Sequence, residues 1–520
     1  MREAQGYDGV VVTPHVLSTQ AGMDVLAQGG SAVDAAIAAN AVQGLVAPET
    51  CGIGGDLFAL IHHQAEVTAL NASGGAGSQV SADRLREEGL TALPQHHPAS
   101  VTIPGCVRGW FAMHARHGRL PMRSLLRRAI ELGRDGFPAS TEYTRATHRM
   151  HEFLAEHEAG AQLLVDGRPP QRGDRVRRPN LAATLEAIGE DGPDAFYEGE
   201  VAGSISRAVG GLITADDLAT YQPEWVMPIA ADVFGLTGWT IPPNSQGYLT
   251  LATLQLFEKL SPTTDPGDPR WAHTMIEAYR AVVAERDDVV ADPRHAPLPN
   301  DELLVLERLM ELAADIEPDS SVLRPPIERR PGGTMYLAVV DGEGLGVSLI
   351  ESNFRGIGSG IGAGDSGFIL HDRGGGFDLR SGHPNEIAPG KRPLHTLAPT
   401  IWTDGPSLRA VLGTRGGHQQ PQLLAQVAAL LFAAGRSPGA AQHHPRWVMS
   451  DVSAPRSTVD VESGMSDQII DGLHRRGHTI RIQAERMPGW GPVSLITVEG
   501  NGLRTGAADP RVDTAAAAAR

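Results

Sequence analysis

The sequence predicts an α+β protein, and three observations carry that reading. The first 50 residues pattern as two helices separated by a glycine pair. After residue 333 the pattern changes to strand-like runs joined by tight turns. The chain has 520 residues, 41% of them hydrophobic, which is enough apolar side chain for a large core.

The elements follow in order. Residues 16–26 carry apolar side chains at helical spacing and stop at Gly29-Gly30. Ser31 can cap the next helix, residues 32–45, whose alanines permit close helix contact. Residues 51–56 form a glycine turn that leads into the apolar run 57–61. Phosphate-binding glycine loops follow a strand and precede a helix, so this turn is not read as an anion site. Further helices are expected over 108–134, with Pro121 opening the second half, over 180–189, over 216–220 with Thr214 as cap, and over 271–287. From 292 to 331 the chain is acidic and proline-rich, ending in Arg329-Arg330-Pro331-Gly332-Gly333, and this is the best boundary in the chain. Beyond it, 335–340 reads as a buried strand, 341–344 as a turn and 345–350 as a second strand, which together make a hairpin. Strands are also expected at 408–413 and 495–498 and a buried helix at 422–434. Residues 514–520 read as a frayed low-complexity tail.

Composition excludes several classes. The net charge is −17, and Lys259 and Lys391 are the only lysines, which argues against broad binding to nucleic acid or anionic membrane. Two cysteines, Cys51 and Cys106, exclude a disulfide scaffold and a four-cysteine zinc site. The first dozen residues lack the pattern of a secretory signal, and no apolar run reaches the ~18 residues of a spanning helix. The expectation is a soluble cytoplasmic protein.

Two motifs are set aside. His151-Glu152 is followed by His157, six residues after the first histidine, whereas a zinc helix needs a gap of four. No His/Asp/Glu cluster has ligand spacing, so neither a metal nor a cofactor is expected. Gly364-Asp365-Ser366-Gly367 echoes a serine nucleophile loop without its surrounding apparatus, and Ser366 is read as a turn residue before a strand at 368–370.

The chemistry is read from Gly332-Gly333-Thr334 followed by a buried strand. A threonine that opens a strand is ordinarily a β-branched strand former. Here an irregular stretch ends in two glycines immediately before it. If the Gly333–Thr334 bond is cut, Thr334 gains a free α-amine with a pKa of ~7.7–8.0, able to take the proton of its own hydroxyl. Gly333 leaves no side-chain bulk beside the scissile carbonyl.

With these residues in place, the sequence resembles the γ-glutamyltransferase (glutathione hydrolase) family of N-terminal-nucleophile hydrolases. The likeness runs along nearly the whole chain. It takes in Gly29-Gly30-Ser31-Ala32-Val33-Asp34-Ala35-Ala36, Gly52-Ile53-Gly54-Gly55, Gly211-Leu212-Ile213-Thr214-Ala215-Asp216-Asp217-Leu218 and Pro242-Pro243-Asn244-Ser245-Gln246-Gly247. It continues through Gly358-Ser359-Gly360-Ile361, Ala388-Pro389-Gly390-Lys391-Arg392-Pro393-Leu394, Gly416-Gly417 and Ala508-Asp509-Pro510-Arg511. His395-Thr396-Leu397 and Gln419-Gln420-Pro421-Gln422 are most similar to a bacterial subgroup that lacks a signal peptide.

The resemblance implies a four-layer αββα sandwich and self-cleavage before Thr334. The products would be a large subunit, residues 1–333, and a small catalytic subunit, residues 334–520. They would pair as a heterodimer, with its further dimerisation left open. It implies Thr334 as nucleophile and Gly416 and Gly417 as the pair whose N–H groups form the oxyanion hole. Ser352, Asn353, Arg373, His395 and Thr396 would bind substrate. The expected partners are a small amide and water or an amine acceptor, with no nucleic acid and no membrane.

Two departures bear on the substrate. Better-known members carry an arginine for the α-carboxylate where this chain has Asn71-Ala72-Ser73-Gly74-Gly75-Ala76, and an aspartate for the α-amino group where it has Gly376. Arg373, three residues earlier, offers a bidentate grip on a carboxylate. Three functions follow: a γ-glutamyl amide hydrolase or transferase, an amidohydrolase of a dicarboxylic mono-amide of glutaryl or oxalyl type, or an uncleaved binding protein of the same fold.

Overall fold

The computed structural model describes residues 3–156, 158–322, 324, 332–451 and 458–520. Fourteen strands build two seven-stranded sheets. In chain order they are β1 (Glu3–Gly6), β2 (Gly9–Thr13), β3 (Asp56–His63), β4 (Glu66–Ala72), β5 (Glu224–Val226), β6 (Ile229–Val233) and β7 (Leu236–Thr240). There follow β8 (Gly333–Asp341), β9 (Gly346–Phe354), β10 (Thr400–Asp404), β11 (Ser407–Thr414), β12 (Val493–Val498), β13 (Arg504–Ala508) and β14 (Ala516–Ala519). The first sheet runs β1-β13-β12-β11-β10-β7-β6 and the second β14-β2-β8-β9-β3-β4-β5.

Alternation along these strands makes three apolar layers. Val10, Val12, Phe58, Leu60, Tyr336, Val340, Ile401, Val411 and Ile496 fill the space between the sheets. The sheets approach closely enough that a Cβ on Gly413 would sit 2.1 Å from the Tyr336 ring. On the outer face of the second sheet, Leu57, Ala59, Ile61, Leu337 and Val339 pack on α1 (Val16–Ala27), α2 (Ala32–Val46) and α3 (Cys106–His117). The outer face of the first sheet is covered by Tyr248–Leu260, Pro269–Val283 and Gln420–Phe432. The result is the αββα sandwich, with the β8–β9 hairpin at the centre of one sheet.

Local chemistry explains the helix starts. Ser31 and Asp34 form a reciprocal capping box on α2, and Thr214 and Asp217 do the same on Ala215–Thr220. Both sheets combine strands from the two sides of residue 333: in the second, β8 lies between β2 and β9, and β9 lies against β3. The two expected fragments therefore share one core.

Several expectations are corrected. The C-terminal residues are not frayed: β14 pairs with β2, and Asp8 N–H donates to the Arg520 carbonyl at 3.0 Å. Alanine carries no strand signal of its own, but an open edge of Val10–Thr13 supplies the missing partner groups. The long helix expected to reach 287 stops at Val283, and a separate turn, Arg286–Val289, follows. Residues 368–370 form no strand, only a bridge between Gly362 and Ile369. Pro325-Pro326 and Arg329-Arg330-Pro331 lie outside the described residues. No helix among the described residues is long and apolar enough to cross a membrane.

Two buried glutamates give the fold a pH dependence. Glu351 on β9 accepts from Gly52 N–H and Asn40 Nδ2 at 2.8 Å each, and burial pushes it up to about 8. Burial and the neighbouring Glu142 push Glu49 up to about 8 as well. Both carboxyls hold their proton more tightly in the folded chain than in the unfolded one, where they titrate near 4.5. The stability they contribute is complete below that value and is lost as the pH rises through about 8. Calorimetry should show Tm falling between pH 6 and pH 9, with a smaller fall in Glu351→Gln; an unchanged fall in that variant refutes the assignment.

Candidate active site

Thr334 sits where the β8–β9 register slips, between Gly333 opposite Phe354 and Met335 opposite Glu351. Such irregularities re-aim a side chain and terminate pairing. Thr334 is buried, and its Oγ1 lies 3.2 Å from Ser352 Oγ across the hairpin. Ser352 Oγ donates to the Gly333 carbonyl at 2.6 Å, so the carbonyl of the bond expected to break is already polarised. Phe354 N–H donates to the same hydroxyl at 2.8 Å and fixes it. Glycine is required at 333: a Cβ there would stand 2.6 Å from the Glu49 carbonyl oxygen and 3.0 Å from Gly356 N.

Gly416 and Gly417 follow β11 with φ of 131° and 57°, a bend that L side chains rarely adopt. Gly417 Cα lies 3.1 Å, and its nitrogen 3.5 Å, from where a Cβ on Gly332 would be. Gln246 Nε2 donates to the Gly417 carbonyl at 3.0 Å and holds that peptide in place. The glycine pair is thus set one residue upstream of the Gly333–Thr334 bond.

Arg373 is fully buried beside this hairpin. Its Nη2 lies 3.3 Å from Ser352 Oγ, its Nη1 3.4 Å from Thr396 Oγ1, and its guanidinium 4.2 Å from the centre of the Phe354 ring. Burial pulls its pKa down to about 10, opposed by Asp56 and Asp372, so it stays charged at neutral pH. Ser352, Arg373 and Thr396 therefore come together near Thr334.

The other two expected substrate residues do not join them. Asn353 Nδ2 donates to the Pro48 carbonyl at 3.1 Å, toward the first glycine turn. His395 Nδ1 accepts from Leu397 N–H at 3.4 Å, which leaves Nε2–H to donate to Asp56 Oδ2 at 3.0 Å. Its ring packs edge-on against Phe58, and burial, reinforced by Arg373, lowers its pKa to about 3, so it is neutral.

Asp56 is the residue the sequence reading passed over. It is buried at the start of β3, with His371 Nδ1 at 3.3 Å and Arg373 Nε at 3.7 Å from the same carboxylate oxygen that His395 binds. Burial alone would raise this carboxyl; His371 and His395 hold it well below the usual range instead. The available signal was an aspartate leading into the fully apolar run 57–61, since a buried carboxylate must have partners.

The expectation that no His/Asp/Glu cluster forms is corrected as well. His273, Glu277 and His478 meet in the outer helical layer, with ligand atoms within 4.8 Å of one another, because Pro269–Val283 packs on the helix that ends just before His478. Arg280 donates to both Glu277 oxygens at 2.9 and 3.0 Å.

Two cavities flank the site. One, of about 70 Å³, is lined by Phe354, Gly376, Thr396 and His418 together with Arg286, Asp287, Asp378 and Arg380. The other, of about 600 Å³, is lined by Gly332, Gly333 and Gly416 together with Glu49, Glu142, Arg145, Arg149, Arg355 and Arg415.

The gamma-glutamyltranspeptidase family model matches residues 18–519. The chain belongs to this family. A glutathione hydrolase-like YwrD proenzyme of Bacillus subtilis is 35% identical over 98% of both chains. An oxamate amidohydrolase proenzyme of Klebsiella pneumoniae is 34% identical over 98% of both. Among solved structures, a cephalosporin acylase from Bacillus halodurans superposes with a TM-score of 0.92 at 30% identity, covering 100% of this chain and 97% of that one. The expected N-terminal-nucleophile fold stands, and the family's chemistry is amide hydrolysis and acyl transfer.

The geometry around Gly376, the expected departure of this chain, leaves no room for a side chain. A Cβ there would stand 2.5 Å from the Leu394 carbonyl oxygen. Asn385 Nδ2 also donates to the Gly376 carbonyl and its Oδ1 accepts from Leu394 N–H, which ties the loop down. The sequence allowed for Gly376→Asp to restore an ammonium partner; the structure does not admit it without displacing Leu394. The expected result is lower kcat/KM for γ-glutamyl and glutaryl anilides alike, and a selective gain for the γ-glutamyl anilide contradicts it.

Proposed function

We propose that the chain is a self-processing amidohydrolase with an N-terminal threonine, acting on the mono-amide of a short dicarboxylic acid. The observation that carries the acyl preference is the pairing of Gly376 with Arg373. No carboxylate can stand at 376 without a clash, while a charged guanidinium lies behind the Ser352 and Thr396 hydroxyls. In the small cavity, Asp287 and Asp378 are each bound to an arginine, at 2.8 Å in both cases. A substrate carboxylate is therefore better matched there than an ammonium. The relative named for oxamate, at 34% identity, supports the same class.

In maturation, Thr334 Oγ1 adds to the Gly333 carbonyl carbon, whose oxygen Ser352 already holds. The C–N bond breaks, the proton passes to the freed Thr334 nitrogen, and an ester links Gly333 to Thr334 Oγ1. Water hydrolyses this ester, leaving a Gly333 carboxylate and subunits of residues 1–333 and 334–520. In turnover the Thr334 amine takes the hydroxyl proton and Oγ1 attacks the substrate carbonyl. Gly416 and Gly417 N–H groups receive the oxyanion, where each donor is worth ~3 kcal/mol. The amine then returns the proton to the leaving nitrogen, and water releases the acid from the acyl-enzyme.

A second reading, hydrolysis or transfer of γ-glutamyl amides such as glutathione, keeps every step and changes the acyl group. The B. subtilis relative named glutathione hydrolase-like favours it. Steady-state kinetics on oxalyl, glutaryl and γ-glutamyl anilides decide between the two. A γ-glutamyl preference well above 150-fold removes the first reading.

A further inference from the structure

The helix Pro269–Val283 places His273 and Glu277 one turn apart, so both side chains lie on one face. The helix packs on Asp467–Arg475, and the chain leaving that second helix brings in His478. All three residues are buried. His273 Nδ1 lies 2.8 Å from His478 Nε2, which lies 3.8 Å from Glu277 Oε1. One ligand atom from each residue is within 4.8 Å of the other two.

The surroundings match the outer shell that a metal site needs. Burial lowers the pKa of both imidazoles, so both are neutral at pH 7. His273 Nε2–H donates to the Glu317 carbonyl at 2.8 Å, which turns the Nδ1 lone pair toward the cluster. Ser321 Oγ donates to Glu277 Oε1 at 3.1 Å, and Arg280 holds both oxygens of that carboxylate, at 2.9 and 3.0 Å. Tetrahedral zinc with bonds of ~2.0–2.1 Å sets two nitrogens about 3.3 Å apart, so the rings need to part by only about half an ångström.

We propose that His273, Glu277 and His478 bind a divalent transition-metal ion, zinc by the character of the donors, as a structural clamp between the segments on either side of residue 333. Two ligands come from the segment before residue 333 and His478 from the segment after it. Zinc replaces the proton between the two rings, His478 then carries its proton on Nδ1, and water takes the fourth position. The clamp also fixes the stretch that supplies the Glu317 carbonyl and the Ser321 hydroxyl, on the way to Gly333. It forms from the fold alone and does not depend on the proposed reaction.

The test uses the full chain, produced with added zinc and purified without chelator. The wild type should retain one zinc per chain after desalting, and stripping it with a chelator should lower Tm. His273→Gln and His478→Gln should each retain at least tenfold less, and their Tm should not respond to the chelator. Thr334→Ala should bind zinc as the wild type does, so a failure of self-processing leaves the clamp standing. Zinc-edge X-ray absorption of the wild type decides without a ligand variant and should show two imidazoles, oxygen donors and no sulfur. A wild type without zinc, whose Tm ignores the chelator, overturns the proposal and leaves a metal-free cluster neutralised by Arg280. Equal zinc in the wild type and both histidine variants, or a sulfur ligand at the edge, overturns it as well.

Discussion

Thr334→Ala should leave a single chain of 55.1 kDa on a denaturing gel, where the wild type gives two fragments, and should abolish amide turnover. The expected loss is total because in the proposed mechanism one hydroxyl does both jobs: it attacks the Gly333 carbonyl during maturation and, with the amine released there, the substrate. The structure places that hydroxyl 3.2 Å from Ser352 Oγ, which in turn holds the Gly333 carbonyl at 2.6 Å. Thr334→Ser keeps the nucleophile but not the methyl group that restricts its rotamer, so it should cleave slowly. Two fragments from Thr334→Ala, with alanine at a new N-terminus, refute the assignment. A wild type that stays uncleaved and inactive returns the chain to the reading of a binding protein.

Arg373→Ala should lower kcat/KM for glutaryl and γ-glutamyl anilides by roughly 10- to 150-fold, the range expected for one lost charge-assisted hydrogen bond of ~1.5–3 kcal/mol. The wild type should discriminate between the two acyl groups by less than that upper figure. The variant also removes the guanidinium 3.7 Å from buried Asp56, which keeps its contacts to His371 and His395, so part of the stabilisation of that carboxylate is lost. A fall in Tm therefore accompanies the kinetic loss. Arg373→Lys separates the two effects. It keeps the charge beside Asp56 and loses the fork that spans Ser352 and Thr396, so Tm should recover more than kcat/KM. Unchanged kinetics in Arg373→Ala would show that another group receives the substrate carboxylate.

The parts of the site that could be read from the sequence were those in which a few adjacent residues carry the chemistry. Gly332-Gly333-Thr334 followed by an apolar run identified the candidate nucleophile, and the family resemblance implied paired backbone donors at Gly416-Gly417. Asp56 was harder, because it meets His371, His395 and Arg373 only when β3 and the segments after β9 share one layer. His395 and Asn353 adjoin Thr396 and Ser352 in sequence, yet consecutive side chains point to opposite sides of an extended backbone. One of each pair therefore faces the hairpin and the other faces away. The arginine lining of the larger cavity, Arg145 and Arg149 included, was invisible for another reason: on their own helix these two look like a solvated basic face.

Among the elements, helices with a local start signal were legible, as the capping boxes at Ser31 and Thr214 show. The hairpin β6–β7 and the helix Tyr248–Leu260 were missed, and the C-terminal alanines were misread. Short strands have little periodicity to detect, and an edge strand such as β14 is stabilised by a partner 500 residues away, as in the Thr514 hydroxyl bond to the Pro14 carbonyl. The sequence by itself determined the fold class, the family and the candidate nucleophile, and it raised the expectation that Gly376 offers no partner to an ammonium, because each depends on residue identity within a short stretch. Only the tertiary structure decided that Gly376 cannot simply regain a carboxylate, that Arg373 is buried rather than exposed, and that four arginines converge on one cavity. Those facts depend on close approach and on shared burial between distant segments, which local propensity does not encode.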